Sequence, residues 1–397
     1  MAVRPVVLFV DDDPNVIGGL RRTLHGMRQQ WKMLFAGSGE EALAVMKAHP
    51  VDVIVTDMRM PGMDGATLLT KVSELYPQVI RVILSGYSDQ EMALRTARSA
   101  HQFLAKPCDP ETLRHTIECA YRLRGLFRNK DLLQVAAGIT TLPSLPALYS
   151  RLIAELESPA ASLERVGEIV AQDMAMTAKV LQLVNSAFFG LRQRVTDPRR
   201  AVTLLGINNL QALVLFMHVF DSYKPDPGLK FSLESLWQHS LTVGSLAKEI
   251  VRTELTSRDA ADKALTAGVL HDIGKLLLLR APAYRKQFGV LFETEGGATA
   301  AGEYRLWGTS HAEVGAYLLG LWGLSDSIVE AVAFHHRPLA GVRDRFTILT
   351  AVHVANVLAH GDEAALDGEY LELLGVSGRV ARWAEIGREV KKRGFSQ

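Results

Sequence analysis

Apolar and polar positions fall into two different rhythms along the chain. Up to about residue 125, short runs rich in β-branched residues alternate with stretches whose apolar residues recur at three- and four-residue steps, the pattern of a parallel sheet with helical crossovers. The runs predict strands at 6–10, 31–36, 51–56, 80–84 and 102–105. Between the first two, Ile17, Leu20, Leu24 and Met27 share one helical face, and Pro14 suits that helix's first turn. A last helix starts near Asp109-Pro110-Glu111, whose acidic residues complement the helix dipole, and is expected to run on to Lys130.

From Tyr121 to Lys130 the chain turns basic, and Thr140-Thr141-Leu142-Pro143-Ser144-Leu145-Pro146 then punctuates it. Beyond that point strand signals nearly vanish, and helical periodicity predicts long helices at 163–185, 199–220, 233–255, 259–279 and 312–322. The fold class is therefore α/β plus all-α. An α/β domain occupies 1–125, a helical linker 126–141 and a helical domain 142–340, with helices at 341–397 completing or extending it.

Composition removes several function classes. The 397 residues carry 44 basic and 43 acidic side chains, a net charge of +1. No global field favours nucleic acid or an anionic membrane. Arg192, Arg194, Arg199 and Arg200 cluster, but no recognition-helix motif accompanies them, and a solvated loop explains them better. No apolar run is long enough to span a bilayer. The two cysteines, Cys108 and Cys119, lack metal-type spacing and suit free thiols in a reducing compartment. The expectation is a cytoplasmic protein without membrane insertion.

On the α/β frame, Asp11 and Asp12 follow the first strand, Asp57 the third, Ser85 the fourth and Lys106 the fifth. Ligand sites of open parallel sheets lie beyond the carboxyl ends of the strands, so these residues should converge. Clustered carboxylates call for a cation, and a hard ion such as Mg²⁺ fits an all-oxygen set. Phosphoryl transfer to a carboxylate needs an attacking oxygen, a metal and positive donors. Asp57, the pair Asp11 and Asp12, and Lys106 with Ser85 supply them.

The stretches Phe9-Val10-Asp11-Asp12-Asp13, Asp57-Met58-Arg59-Met60-Pro61-Gly62-Met63-Asp64-Gly65, Leu84-Ser85-Gly86 and Lys106-Pro107 make this half resemble the response-regulator receiver family. The resemblance implies strand order 2-1-3-4-5, phosphorylation of Asp57 by a sensor histidine kinase, and Mg²⁺ ligation by Asp12, Asp57 and the Arg59 backbone carbonyl, with Asp11 acting through water. It also implies phosphoryl contacts from Lys106 and Ser85 and a cis Lys106-Pro107 bond. Phe103 takes the place of the family's switch aromatic, often tyrosine.

The second half contains Leu142-Pro143-Ser144-Leu145-Pro146, the stretch from Asp173 to Ala187, Ala201 to Gly206, and His271-Asp272-Ile273-Gly274-Lys275. In that order they resemble the HDOD family, a helical relative of HD metal-dependent phosphohydrolases. His239, His271, Asp272, His311, His335 and His336 match the ligand series of metal-binding HD enzymes, a set suited to Fe, Mn, Zn or Ni. Ser310-His311-Ala312-Glu313 reads as a capping box that places His311 at a helix N-terminus and favours its neutral form. Asn356 stands where the enzymes have a late aspartate, and no Gly-Tyr-Pro follows His335-His336. Both departures favour a mutually hydrogen-bonded network without metal, and a signalling domain with an unidentified downstream partner over a cyclic-nucleotide phosphodiesterase. A homodimer is left open.

Overall fold

The computed structural model describes residues 4–85, 99–124, 142–144, 146–158, 160–185, 194–207, 210, 220–222, 232–281, 284–285, 300–341 and 344–394. The expected linker, 126–141, lies outside the described residues.

The first domain is a five-stranded parallel sheet of β1 (Val6–Val10), β2 (Lys32–Ala36), β3 (Val53–Asp57), β4 (Ile80–Ser85) and β5 (Gln102–Ala105), in the order β2-β1-β3-β4-β5. Alternate side chains of each strand enter opposite layers. Val7 and Phe9 join Leu113 and Ile117 on one face, whereas Leu8 and Val10 join Leu68, Leu69 and Phe103 on the other. Helix α1 (Pro14–Thr23) is capped by Asp13, whose side chain accepts from Asn15 N at 2.8 Å. It is shorter than its apolar face suggested, because His25–Gln29 tightens into a 3₁₀ turn. Helices α2 (Gly39–Ala48) and α3 (Gly65–Leu75) pack near each other, and α4 (Pro110–Arg124) closes the domain.

The second domain runs through α5 (Pro146–Glu157), α6 (Leu163–Ala171), α7 (Met174–Val184), α8 (Pro198–Leu205), α9 (Leu233–Glu254), α10 (Arg258–Leu270), α11 (Ile273–Leu278), α12 (Ala300–Trp307), α13 (His311–Leu321) and α14 (Asp326–Phe334). Helices α15 (Ile348–His360), α16 (Gly368–Leu373) and α17 (Val380–Gly394) follow, and α15 and α17 pack on α9. Among the described residues no helix is long and apolar enough to cross a membrane.

Three expected helices are broken. The one at 163–185 divides at Asp173, which accepts from Met176 N at 2.9 Å and so caps a new helix. The one at 259–279 divides at His271-Asp272, which lie between α10 and α11. The one at 199–220 ends at Leu205, before Gly206, and its far end, Phe220, opens a strand. That strand, β7 (Phe220–Ser222), pairs in parallel with β6 (Leu142–Ser144), so the second half contains a small sheet that its helical periodicity did not suggest.

The two domains share a core. Leu113 and Ile117 of α4 belong to the same buried cluster as Leu318 and Leu321 of α13, and α4 packs along α13. Two amide side chains cross the seam: Gln102 Nε2 donates to Gly320 O and Gln182 Nε2 to His101 O, each at 3.0 Å.

Candidate functional site

The first site forms where β1, β3 and β5 end. Asp11, Asp12 and Asp57 present carboxylate oxygens within 4.8 Å of one another, and Lys106 Nζ lies 2.6 Å from Asp11 Oδ2 and 2.7 Å from Asp57 Oδ1. One ammonium thus faces three carboxylates, an oxygen-only set that could hold a hard divalent ion. Burial pushes the Asp57 carboxyl up despite the pull of Lys106. Burial acts to lower Lys106, but its hydrogen bonds to Asp11 and Asp57 outweigh this and hold the ammonium above its ordinary value. The Lys106-Pro107 bond is cis. Gly65 is needed behind the acceptor, since a Cβ there would stand 2.1 Å from the Asp57 carbonyl oxygen.

Ser85 ends β4 in register with Ala105, but its side chain lies outside the described residues. Arg59 lies two residues beyond Asp57 in the loop before α3. Phe103 is buried in the sheet's second core layer.

The second site is in the helical domain. Asp272, His311, His335 and His336 present ligand atoms within 4.8 Å of one another, and so do His239, His271 and Asp272. All six residues singled out from the sequence meet here, with Asp272 common to both groups. His271 and His335 each follow a helix end, where backbone carbonyls lack helical partners. His271 Nδ1 donates to Gly268 O at 2.7 Å and His335 Nδ1 to Val332 O at 2.8 Å. Those bonds fix the tautomers, leaving lone pairs on the two Nε2 atoms. Both Nε2 atoms are buried without a hydrogen-bond partner among the described residues.

The expected network is therefore incomplete: two buried acceptors point into a cluster that already holds a carboxylate. A divalent transition metal fits that donor set. By contrast, His353 uses both nitrogens, Nδ1 to His335 O at 2.8 Å and Nε2 from Asp367 N at 3.1 Å, and serves packing. Asn356 is at the site, its Oδ1 3.0 Å from His239 Nε2. His360, one turn later, lies against His239 with ring centroids 4.3 Å apart and planes tilted by 34°.

Lys275, one turn into α11, donates to Asp272 Oδ2 at 2.6 Å. Burial alone would raise the Asp272 carboxyl, but His271, Lys275 and His311 hold it well below the usual range. Burial depresses His271 and His335, keeping their imidazoles neutral, and lowers His239 to about 3.

The Ser310–Glu313 capping box is present at the start of α13. Its expected effect on His311 is overridden. Burial opposes the charge, but the Glu303 carboxylate 2.6 Å from Nδ1 raises the His311 imidazole instead. Glu303, fully buried on α12, was not singled out from the sequence, where it reads as one more polar position on a short helix.

A doubly wound sheet with an acidic pocket and lysine at its carboxyl edge, packed on a helical domain with a histidine-aspartate cluster, defines a response regulator with an HD-like output domain. Family models agree in both halves: the response regulator receiver domain matches 7–118 and the HDOD domain 142–338. The chain belongs to the response regulators that pair a receiver domain with an HDOD domain. It is similar to the hydrogenase transcriptional regulatory protein HoxA of Cupriavidus necator, 32% identical over 178 residues, covering 42% of this chain and 36% of that protein. It is also similar to the transcriptional regulatory protein GlrR of Escherichia coli, 33% identical over 117 residues, covering 29% of this chain and 26% of that one. The chain spans less than half the length of these relatives. Among solved structures, the MmoQ response regulator of Methylococcus capsulatus shares the fold, with TM-score 0.50 and 22% identity over 65% of this chain and 98% of that one.

Proposed function

We propose that Asp57 accepts a phosphoryl group from a histidine kinase and that this event controls the helical domain. The observation that carries the reading is Lys106 bridging Asp11 and Asp57 beside the third carboxylate, Asp12. An Asp57 carboxylate oxygen attacks the phosphorus of the donor, and the bond from phosphorus to the donor atom breaks. Lys106 then donates to a phosphoryl oxygen, which replaces its present carboxylate partner. Mg²⁺ held by Asp11, Asp12, Asp57 and the Arg59 carbonyl would neutralise charge on those oxygens. Ser85 is proposed as a further phosphoryl contact on the resemblance alone.

Because Lys106 ends the segment that β5 begins, its re-pairing is transmitted to Gln102 and so to α13. The test is intact mass after exposure to acetyl phosphate and Mg²⁺. One phosphoryl increment is expected in the wild type and none in Asp57→Asn, and an unchanged wild-type mass overturns the reading.

The output domain is read as a metal-binding signalling domain that acts on a downstream protein partner. His239, His271, Asp272, His311, His335 and His336 would hold Mn, Fe, Zn or Ni, on the strength of the two buried Nε2 atoms that make no hydrogen bond among the described residues. Such a metal supplies Lewis acidity when bound. A second reading, a phosphorylation-gated phosphohydrolase, is favoured by Lys275 beside Asp272 and opposed by the neutral Asn356 against His239. Hydrolysis of a cyclic nucleotide with Mn²⁺, lost in His271→Ala, would establish it; a wild type without turnover removes it.

A further inference from the structure

The reading of the histidine cluster as a metal centre leaves one buried charge unexplained. Glu303 is fully buried on α12, outside both groups of candidate ligands. A carboxylate placed there for packing alone would be costly, because an ion removed from water must recover its solvation from fixed donors.

Glu303 recovers it from three directions. Its Oε2 accepts from His311 N at 2.7 Å and from His311 Nδ1 at 2.6 Å, and its Oε1 accepts from Tyr284 OH at 2.6 Å. Tyr284 is itself fully buried and rests against Trp307, with ring centroids 4.7 Å apart. The carboxylate, its tyrosine and its helix are thus fixed by packing, and two of the three donors belong to one residue.

The consequence falls on the far side of the ring. A carboxylate only accepts, so Nδ1 of His311 must carry the proton. Nε2 is then the nitrogen left to turn towards a metal, and it faces Asp272 Oδ1 at 3.1 Å and His336 Nε2 at 3.0 Å. His271 and His335 have their Nδ1 protons fixed by neutral backbone carbonyls. His311 has its proton held instead by a full negative charge, the Glu303 carboxylate.

We infer that Glu303, held by Tyr284, is a positioning residue that locks His311 with Nε2 directed into the cluster and strengthens it as a ligand. This inference rests on the metal reading proposed above. An outer carboxylate of this kind contributes to affinity without touching the metal, and its loss typically costs about 10–100-fold in metal affinity.

Two measurements on the whole 397-residue chain test it. The first is Co²⁺ affinity by chelator competition, together with the visible absorption of the bound ion. Glu303→Gln keeps the shape and an acceptor oxygen but removes the charge, so roughly a 10–100-fold weaker affinity and an altered spectrum are expected. Tyr284→Phe keeps the charge but frees one oxygen, and a smaller loss in the same direction is expected. The second uses ¹⁵N-histidine NMR of metal-free protein. Nδ1 of His311 is expected to be protonated in the wild type and to lose that proton in Glu303→Ala.

Wild-type Co²⁺ uptake with an unaltered Glu303→Gln isotherm and spectrum overturns the positioning role alone, as does a bare Nδ1 in the wild type. No Co²⁺ uptake by the wild type overturns the metal reading and this role with it. If Glu303→Gln folds poorly, Tyr284→Phe decides: affinity equal to wild type overturns the inference.

Discussion

Gln102 and Gly320 are joined across the two domains by a hydrogen bond of 3.0 Å, and each stands at one end of an element whose other end carries a site residue. Four residues beyond Gln102 comes Lys106 of the acidic pocket, and α13 runs back from Gly320 to His311 of the histidine cluster. Two rigid elements and one hydrogen bond therefore separate the two sites. In Gln102→Ala the seam should weaken by about 1 kcal/mol, the net worth of such a bond. Phosphorylation of Asp57 should still occur. Hydrogen exchange of 311–321 should respond to acetyl phosphate in the wild type and respond less in Gln102→Ala. Equal responses would remove this route.

Lys106 is the only basic group that the described contacts place against Asp11 and Asp57. In Lys106→Met three carboxylates would face one another with no compensating ammonium. Without Mg²⁺ the variant should unfold at lower urea, with a loss of about 1–2 kcal/mol. Added Mg²⁺ should restore most of that loss and bind roughly tenfold more tightly than in the wild type, because a competing positive charge is gone. Mg²⁺ titrations followed by urea unfolding measure both effects, and an Mg²⁺-independent midpoint would contradict the cation reading of the pocket.

Acid should destabilise the metal-free protein through its buried histidines. Burial lowers His271, His335 and His353 and takes His239 to about 3. Below pH about 6.5 the unfolded chain takes up protons that these folded imidazoles refuse. Stability is then lost as pH falls, at about 1.4 kcal/mol per pH unit for each such histidine. His311, raised by Glu303, acts in the opposite sense: its contribution is present below its unfolded value and fades as pH rises through the folded one. The depressed group is larger, so urea midpoints should fall steeply from pH 6.5 to 5. His335→Gln should make that fall shallower by one proton, and a flat profile would contradict the buried neutral assignment.

The receiver site could be read from the sequence because each residue lies at a strand end, and strand ends of a parallel sheet meet by topology. The six histidine and aspartate positions were likewise visible, because their residue types and order resemble the ligand series of HD enzymes. What the sequence hid was which nitrogen each imidazole presents, and that decides between a closed network and a metal centre. The deciding partners are carbonyls three residues back, Gly268 O and Val332 O, which belong to the helix and have no sequence signal. Glu303 escaped for a related reason. Its role comes from burial under Tyr284, nineteen residues away, and nothing in its own neighbourhood marks it. The break at Asp173 did carry a signal, an aspartate in N-cap position, but apolar periodicity continues across it and outweighed the cap.

Gly274 sets how closely α11 approaches α13. A Cβ at this position would lie 1.9 Å from the His311 carbonyl oxygen and 2.8 Å from Gly315 N, so two helix backbones touch where any other residue would separate them. The contact has a direct effect on the site, since Asp272 precedes α11 by one residue and His311 opens α13. Gly274→Ala must push the helices apart, because backbone atoms cannot swing away as a side chain end can. Overpacking of this kind costs about 3 kcal/mol, and it moves Asp272 and His311 away from each other. The expected result is a folded protein of lower thermal midpoint, with weakened Co²⁺ binding in the helical domain and unchanged phosphorylation at Asp57. Gly65→Ala should show the converse, since its Cβ would strike the Asp57 carbonyl at 2.1 Å and disturb only the receiver pocket. If Gly274→Ala left Co²⁺ affinity at the wild-type level, the cluster could not depend on the spacing between these two helices, and a shared role for Asp272 and His311 would be excluded.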